Sequence, residues 1–429
     1  MNIKVLLKKF MPYFLLDFYH YLWALMSAVV FGFPSLRHGS GQAQKLIVVG
    51  VTGTSGKSTT VDFITRILEK NGNSVASNSS IRFKIGNKEW PNELKMGMPG
   101  RFFMQKFLRQ AVNEKCNYAV LEVTSEGIKQ FRHKFINFDV VVFTNLSPEH
   151  IESHGGFENY RNEKLKLFKQ NPTTHIINID DENAKYFLET LAKEKWGFKL
   201  KTKSENLKTT VQNLKLVEAD NINIIADNLS FKIQDTIFKI QLLGEFNVYN
   251  ALAAISIATS KGISLEVCKK ALEKVSGIPG RMEIIVKDPF EVIVDYAHTP
   301  EQLEQVYKSL NSKPLICVLG SCGGGRDKWK RPVLGRLAEQ YCKEIIITNE
   351  DPYDEDPLEI MEQVASGIQG HEHHIVLDRK EAIKKALHLA KTEDVVIITG
   401  KGSESLMCIA NGIKIPWDDR QIVREEMGK

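Results

Sequence analysis

The 429-residue chain contains no C-x-x-C pair. Its six cysteines, Cys116, Cys268, Cys317, Cys322, Cys342 and Cys408, are scattered, which argues against a zinc ribbon and a disulfide framework and implies reduced thiols in a cytosolic protein. Any metal must therefore be held by oxygen or nitrogen ligands. No dense Lys/Arg block occurs and the net charge of +5 is small for this length, which excludes nucleic acid as the main partner. Internal repeats and low-complexity tracts are also missing. What remains is an ordinary globular composition, 43% hydrophobic and 25% charged, long enough for two or three domains of about 100–200 residues each.

The N-terminus is less ordinary. Between Phe10 and Phe33 the ionisable side chains are Asp17 and His20, with Lys4, Lys8 and Lys9 before and Arg37 after. On a helix, Asp17, His20, Ala24 and Ser27 share one narrow stripe and the rest of the circumference is apolar. Such a helix needs a greasy neighbour: a bilayer that it crosses or lies upon, or a surface of its own protein or a partner. No small-residue cleavage site follows, so a removed signal peptide is disfavoured. Leu36 to Gln44 reads as a linker.

The strongest motif is Gly50-Val-Thr-Gly-Thr-Ser-Gly-Lys-Ser-Thr59, between the apolar run Leu46–Val49 and the helical pattern Val61, Ile64, Ile67, Leu68. A buried strand, a glycine-rich turn and a helix start make a phosphate cradle. Gly53, Thr54, Ser55, Gly56, Lys57, Ser58 and Thr59 offer inward N–H groups, a lysine for the β- and γ-phosphates and hydroxyls for Mg²⁺. Val51 stands where the strict pattern has its first glycine. ATP is the expected ligand.

Strands and helices alternate after the loop: a helix near Phe102–Val112, strands at Tyr118–Val123 and Val140–Thr144, then a β-rich stretch from Lys199 to Leu243 and a helix over Asn250–Lys261. The turn Gly277-Ile-Pro-Gly280 marks a boundary, and a second set has strands at Phe290–Val294, Leu315–Leu319, Glu344–Thr348 and Val395–Thr399. The expected fold class is α/β, with an apolar helix and linker at 1–43, a P-loop domain on a mostly parallel sheet at 44–278, and a smaller Rossmann-like domain at 279–429. The site should lie at the carboxyl ends of the strands. Glu122, His150 and Lys164 fall near that edge, where they begin to form a metal and phosphate shell.

These blocks, in order, resemble the Mur ligase family from Val48 onward: Gly53–Thr59, Glu122-Val-Thr-Ser125, Thr144-Asn-Leu-Ser-Pro-Glu-His150, His154-Gly, Tyr160-x-x-x-Lys164, Gly244-Glu-Phe-Asn-Val-Tyr-Asn250, Pro279-Gly-Arg281, Asp295-Tyr-Ala-His-Thr-Pro300, Gly323-Gly-Gly-Arg-Asp327 and Gly400-Lys-Gly402. The wording is most similar to the branch that adds the third residue of the peptidoglycan stem peptide. The resemblance implies that Lys57 holds the γ-phosphate and that Ser58, Glu122 and His150 hold Mg²⁺. It implies a carbamylated Lys164 as a further metal-side ligand, adenine contacts from Asn247 and Asn250, and phosphate and ribose contacts from Arg281 and Asp295. Thr124, Ser125 and Arg132 fall in the acceptor region. The implied chemistry is activation of a muramoyl-peptide carboxylate as an acyl phosphate and capture by an amine.

The chain departs from the family in two places. The segment before Leu46 is too short for the usual UDP-gripping domain, so a lipid-linked muramoyl dipeptide stands beside the UDP-linked one as acceptor, with the enzyme cytoplasmic or at the inner face of the membrane. Where diaminopimelate-adding members carry Asp-Asn-Pro-Arg, this chain has Glu350-Asp351-Pro-Tyr353, and Gly-Lys-Gly-His-Glu appears as Gly400-Lys-Gly-Ser-Glu404. Tyrosine makes no bidentate salt bridge. Diaminopimelate is therefore disfavoured, and a side-chain ammonium near Glu350, Asp351, Asp354 or Glu404 is the expectation. Glu126 also replaces the histidine usual after Ser125. Competing readings are a folylpolyglutamate synthase-like or polymer-forming ligase, and an ATP-binding membrane scaffold without turnover.

Overall fold

The computed structural model describes residues 12–36, 45–202, 213–225 and 228–428. Helix α1 (Tyr13–Val30) precedes a sheet of eleven strands: β1 (Ile47–Thr52), β2 (Val75–Asn78), β3 (Arg82–Ile85), β4 (Lys88–Pro91), β5 (Tyr118–Glu122), β6 (Val140–Phe143), β7 (Thr174–Asn178), β8 (Glu194–Leu200), β9 (Lys215–Ile225), β10 (Asn228–Ile233) and β11 (Thr236–Ile240). Their spatial order is β11-β10-β9-β8-β7-β6-β1-β5-β2-β3-β4. Pairing is parallel from β9 through β2 and antiparallel at both ends, so the β-rich stretch after Lys199 extends the same sheet. β1 lies between two parallel neighbours with Val48 to Thr52 buried, which is why it reads as an unbroken apolar run.

Helices cover both faces. On one, α2 (Lys57–Lys70) places Val61, Ile64 and Leu68 in a core shared with a helix over Phe246–Ser260, which is buried nearly all round. On the other, α3 (Arg101–Asn113) and α4 (Phe157–Phe168) supply Phe107, Leu108, Leu165 and Phe168. A second, six-stranded sheet follows, made of β12 (Glu283–Val286), β13 (Glu291–Val294), β14 (Leu315–Leu319), β15 (Cys342–Thr348), β16 (His373–Val376) and β17 (Val395–Ile398) in the order β12-β13-β17-β14-β15-β16, parallel except for β12. Its far side is braced by Arg379, whose guanidinium donates to both oxygens of Asp419 at 2.9 and 2.7 Å with neither side chain exposed.

One sequence expectation needs correction and one open alternative is narrowed. Cys317 and Cys342, on the neighbouring strands β14 and β15, form a disulfide, while Cys116, Cys268, Cys322 and Cys408 are free. Spacing along the chain could not show that adjacent parallel strands bring two distant cysteines side by side. Among the described residues no helix is long and apolar enough to cross a membrane. Helix α1 instead lies along α3. It buries its small and polar stripe, His20, Ala24, Ser27 and Ala28, and leaves the apolar circumference outside. The linker beyond Leu36, like Lys4, Lys8, Lys9, Phe10 and Arg37, lies outside the described residues.

Candidate active site

A cavity of about 490 Å³ opens where the carboxyl ends of the central strands face the second sheet. The turn from β1 to α2 forms its floor. Gly56, at φ +76°, takes a left-handed turn against Asn250 Oδ1 that an L side chain could not share. No side chain caps the first turn of α2, so its N–H groups stay available to an anion. Lys57 folds back, donating to Thr54 O at 2.8 Å and Gly53 O at 3.1 Å. Ser58 Oγ donates to Glu122 Oε2 at 2.7 Å, and Ser80 N reaches the same oxygen at 2.9 Å. A hydroxyl and a carboxylate converge beside the phosphate cradle.

His150 holds a left-handed turn (φ 56°) on the cavity wall, with Nε2 3.8 Å from Glu149 Oε1. Burial lowers its pKa to about 4, so the ring is neutral at pH 7. Burial opposes the ionisation of Glu149, but His150 and His298 outweigh it and hold that carboxyl well below its usual range. Lys164 stands behind the loop, 1% exposed, donating to Gly53 O at 2.8 Å. Burial, and then Lys57, push its pKa well below the ordinary lysine value. Among the described residues no three His, Cys, Asp or Glu side chains form a ready-made metal cluster. The Ser58–Glu122 pair suits Mg²⁺, which takes one or two protein oxygens and leaves further positions to substrate phosphates.

The remaining candidates divide clearly. Thr54 to Thr59, Glu122, Thr124, Arg132, His150, Asn250, Arg281, Asp295 and Glu404 all line the cavity. Asn247 stands one layer back, accepting from Asn250 Nδ2 at 2.9 Å. Ser125 is buried at the start of the short helix Ser125–Lys129. Asp295 lines the cavity and is fixed by two backbone donors, accepting from Met282 N and Ala297 N at 2.6 Å each, one on each oxygen. Arg281 crosses to Ser80 Oγ at 3.2 Å with its guanidinium over the Tyr296 ring.

The acidic stretch behaves differently from its sequence reading. Glu350 is 2% exposed and lies against Gly400, outside the cavity, with Cys322 Sγ on one oxygen. Asp354 points away and caps Asn411 N. Tyr353 packs over Gly324. Asp351 and Glu404 are both neutralised: Lys401 bridges them at 3.0 and 2.8 Å, and Lys95, from the other sheet's side, bridges them again at 2.5 and 2.9 Å. No unpaired acid of this set is left in the cavity for a side-chain ammonium.

Three residues were not singled out from sequence. Glu149 and Arg326 sit inside blocks already recognised, next to His150 and after Gly325. Arg326 lines the cavity, where its guanidinium meets His150 Nδ1 at 3.4 Å; the Glu149 carboxylate is close enough to favour its charge, but among the described residues Arg326 forms no salt bridge. Lys95 gave no signal, because only its contact across the cleft distinguishes it from a loop lysine. The cleft is closed by further bridges: His298 Nε2 donates to Glu149 Oε1 at 2.9 Å, and Asp327 accepts from Ile151 N and Glu152 N at 3.1 and 3.0 Å.

Known proteins carry the same arrangement. Residues 51–258 match the Mur ligase middle domain and 280–402 the Mur ligase glutamate ligase domain. The chain is 36% identical over 415 residues to a UDP-N-acetylmuramoyl-L-alanyl-D-glutamate–2,6-diaminopimelate ligase of Syntrophomonas wolfei, covering 94% of this chain and 81% of that one. It is 33% identical over 432 residues to a UDP-N-acetylmuramyl-tripeptide synthetase of Roseiflexus, covering 95% and 82%. A solved diaminopimelate ligase of the first kind superposes with a TM-score of 0.59 at 29% identity, over 91% of this chain and 80% of that one. Folylpolyglutamate synthase of Mycobacterium tuberculosis shares the fold at a TM-score of 0.67 and 15% identity, over 95% of each chain. A phosphate cradle facing a second α/β unit across a closed cleft, matched in sequence over nearly its whole length, places this chain in the Mur ligase family.

Proposed function

We propose that this chain is an ATP-dependent, ADP-forming amide ligase that adds the third residue to a muramoyl dipeptide in peptidoglycan precursor synthesis. The observation that carries the reading is one cavity whose lining includes the phosphate cradle of α2 together with Arg132 and Arg326. The acceptor carboxylate and ATP are both anionic, and they approach only where cations offset the repulsion. Lys57 and the N-terminus of α2 supply part of that offset; Ser58 and Glu122, with His150 as a further ligand, would hold Mg²⁺, which would supply the rest. The carboxylate oxygen attacks the γ-phosphorus and ADP leaves. The amine of the incoming amino acid, in its neutral form, then attacks the acyl carbon, phosphate departs with the electron pair of the C–O bond, and the nitrogen loses a proton to leave the amide.

Arg132, which lines the cavity and donates to Gln130 Oε1 at 2.8 Å, is the residue proposed to hold a carboxylate of the acceptor, and Asn250, with Tyr249, is proposed to face the nucleotide. Lys164 we propose to be carbamylated: a neutral amine is the form that adds CO2, losing a proton as the N–C bond forms, and the product is an anion beside the cation-binding end of the loop. Arg326 supports an amino acid that presents a carboxylate. With Asp351 and Glu404 already paired, this favours a diamino diacid, such as the 2,6-diaminopimelate in the names of the relatives, over lysine. Tyr353 had pointed the other way, but the cation comes from a different loop.

The acceptor carrier is UDP, as in the relatives' names. The apolar face of α1, tied to the acceptor end through Arg101 and Gln130, favours a lipid-linked muramoyl dipeptide as a second carrier, which would place the enzyme at the inner face of the membrane. The deciding experiment supplies UDP-linked or lipid-linked muramoyl dipeptide with 2,6-diaminopimelate, lysine or ornithine, and scores phosphate release and product mass. Turnover with diaminopimelate supports the reading. Turnover with glutamate and a folate acceptor instead would overturn it.

A further inference from the structure

We propose that the outer face of α1 is a docking surface for an anionic phospholipid bilayer, on which the enzyme lies without crossing. The face is unusual for a helix packed on its own protein. The stripe turned inward is His20, Ala24, Ser27 and Ala28, whereas Phe14, Phe18 and Val30 are 70%, 63% and 64% exposed, and Tyr19, Leu22, Trp23 and Met26 lie partly open between them. Burying small and polar residues while exposing aromatic ones reverses the usual amphipathic pattern.

The helix is nevertheless firmly seated. Arg101 pairs with His20, Arg109 donates to Phe31 O at 2.8 Å and to Gly32 O at 2.9 Å, and the Trp23 and Phe102 rings meet edge to face at 5.6 Å. The exposed face is therefore held outward by the fold. At 18 residues the helix is about 27 Å long, short of the roughly 30 Å hydrocarbon core, and suits an interfacial position.

Charge selects the occupant. Residues 1–44 carry Lys4, Lys8, Lys9 and Arg37 against Asp17 alone, a net +3 of the whole chain's +5. An excess of basic residues in the sequence on either side of an apolar helix face that carries Tyr19, Tyr21 and Trp23 fits anionic headgroups over acyl chains. A second copy of this chain would offer the same excess of positive charge and no complement to it. The inference stands with either acceptor carrier.

The test is flotation of the full chain with phosphatidylcholine vesicles, with and without phosphatidylglycerol, alongside light scattering without lipid. Wild type should partition onto the vesicles that contain phosphatidylglycerol. Replacing Lys4, Lys8 and Lys9 with Ser should weaken this about a hundredfold, at roughly fivefold per lysine. The pair Phe18→Ser and Val30→Ser, which removes no packed group, should abolish it while phosphate release with soluble acceptor is retained. Equal binding to neutral vesicles, unchanged binding of the serine pair, or a lipid-indifferent dimer broken by that pair would each overturn the proposal. Loss of ligase activity in wild type would instead count against the proposed function.

Discussion

Replacing Lys95 with Ala removes a latch that exists only when the two sheet units are closed upon each other. Its ammonium meets Asp351 Oδ2 at 2.5 Å and Glu404 Oε2 at 2.9 Å, with Leu406 O at 3.2 Å, and the side chain is 8% exposed. Burial works against its charge, but Glu404 and Asp351 outweigh burial and raise its pKa. Hydrogen bonds to charged groups contribute about 1.5–3 kcal/mol each, and losing one partner of a buried set leaves the others undercompensated. Here Lys401 still touches both carboxylates, so the loss falls toward one such bond, about 2 kcal/mol. That corresponds to a roughly 30-fold shift of the closed–open equilibrium. Because the competent state is the closed one, the loss should appear as a rise in KM for the amino acid of up to that factor. Steady-state kinetics with the amino acid varied at saturating ATP read this directly, and thermal unfolding of the same variant reports any separate loss of stability. A KM within twofold of wild type, with only a lower Tm, would show that Lys95 braces the fold and does not latch the cleft.

Other consequences can be checked independently. Lys164→Met should abolish turnover, and a short carboxylate added to Lys164→Ala should restore part of it; full activity of either variant without additive would remove the carbamate from the account. His133, His150, His154 and His175 are held neutral with pKa values of about 3, 4, 4 and 4, chiefly by burial. The unfolded chain binds those protons first, so their contribution is complete above pH 6.5 and is lost as pH falls toward 4, on the order of 2–3 kcal/mol for each fully buried ring. Tm should drop steadily across that window, and a flat profile would contradict the assignment. Asp419→Ala leaves the buried Arg379 charge unpaired and should cost about 3–5 kcal/mol in denaturant unfolding, with no change in KM for ATP in the folded fraction.

The fold was legible because its central strands are uniform apolar runs and its helices announce themselves by periodicity. Leu315–Leu319 appears as read, and the β-rich excursion begins and ends about where the alternation changes. The phosphate cradle was legible too, since glycine, lysine and hydroxyl must stand in fixed order to do that work. The acid-rich corner was not. Nothing in Glu350-Asp-Pro-Tyr353 reveals that Glu350 turns behind Gly400, or that Lys95, more than 250 positions away, neutralises Asp351. The disulfide escaped for the same reason, being a property of strand order. The stripe on α1 was readable, but which side faced the protein was not: Ala24 and Ser27 pack closely where larger residues would hold the helices apart.

The central claim is that Lys57 and the start of α2 bring anionic reactants together so that a carboxyl is phosphorylated and then captured. The direct measurement is acceptor-dependent phosphate release by Lys57→Ala against wild type, at saturating ATP and Mg²⁺, with product confirmed by mass. The account predicts a loss of about a hundred- to a thousandfold, in the range seen when a single charge-stabilising group is removed from a preorganised site. Undiminished turnover would contradict it.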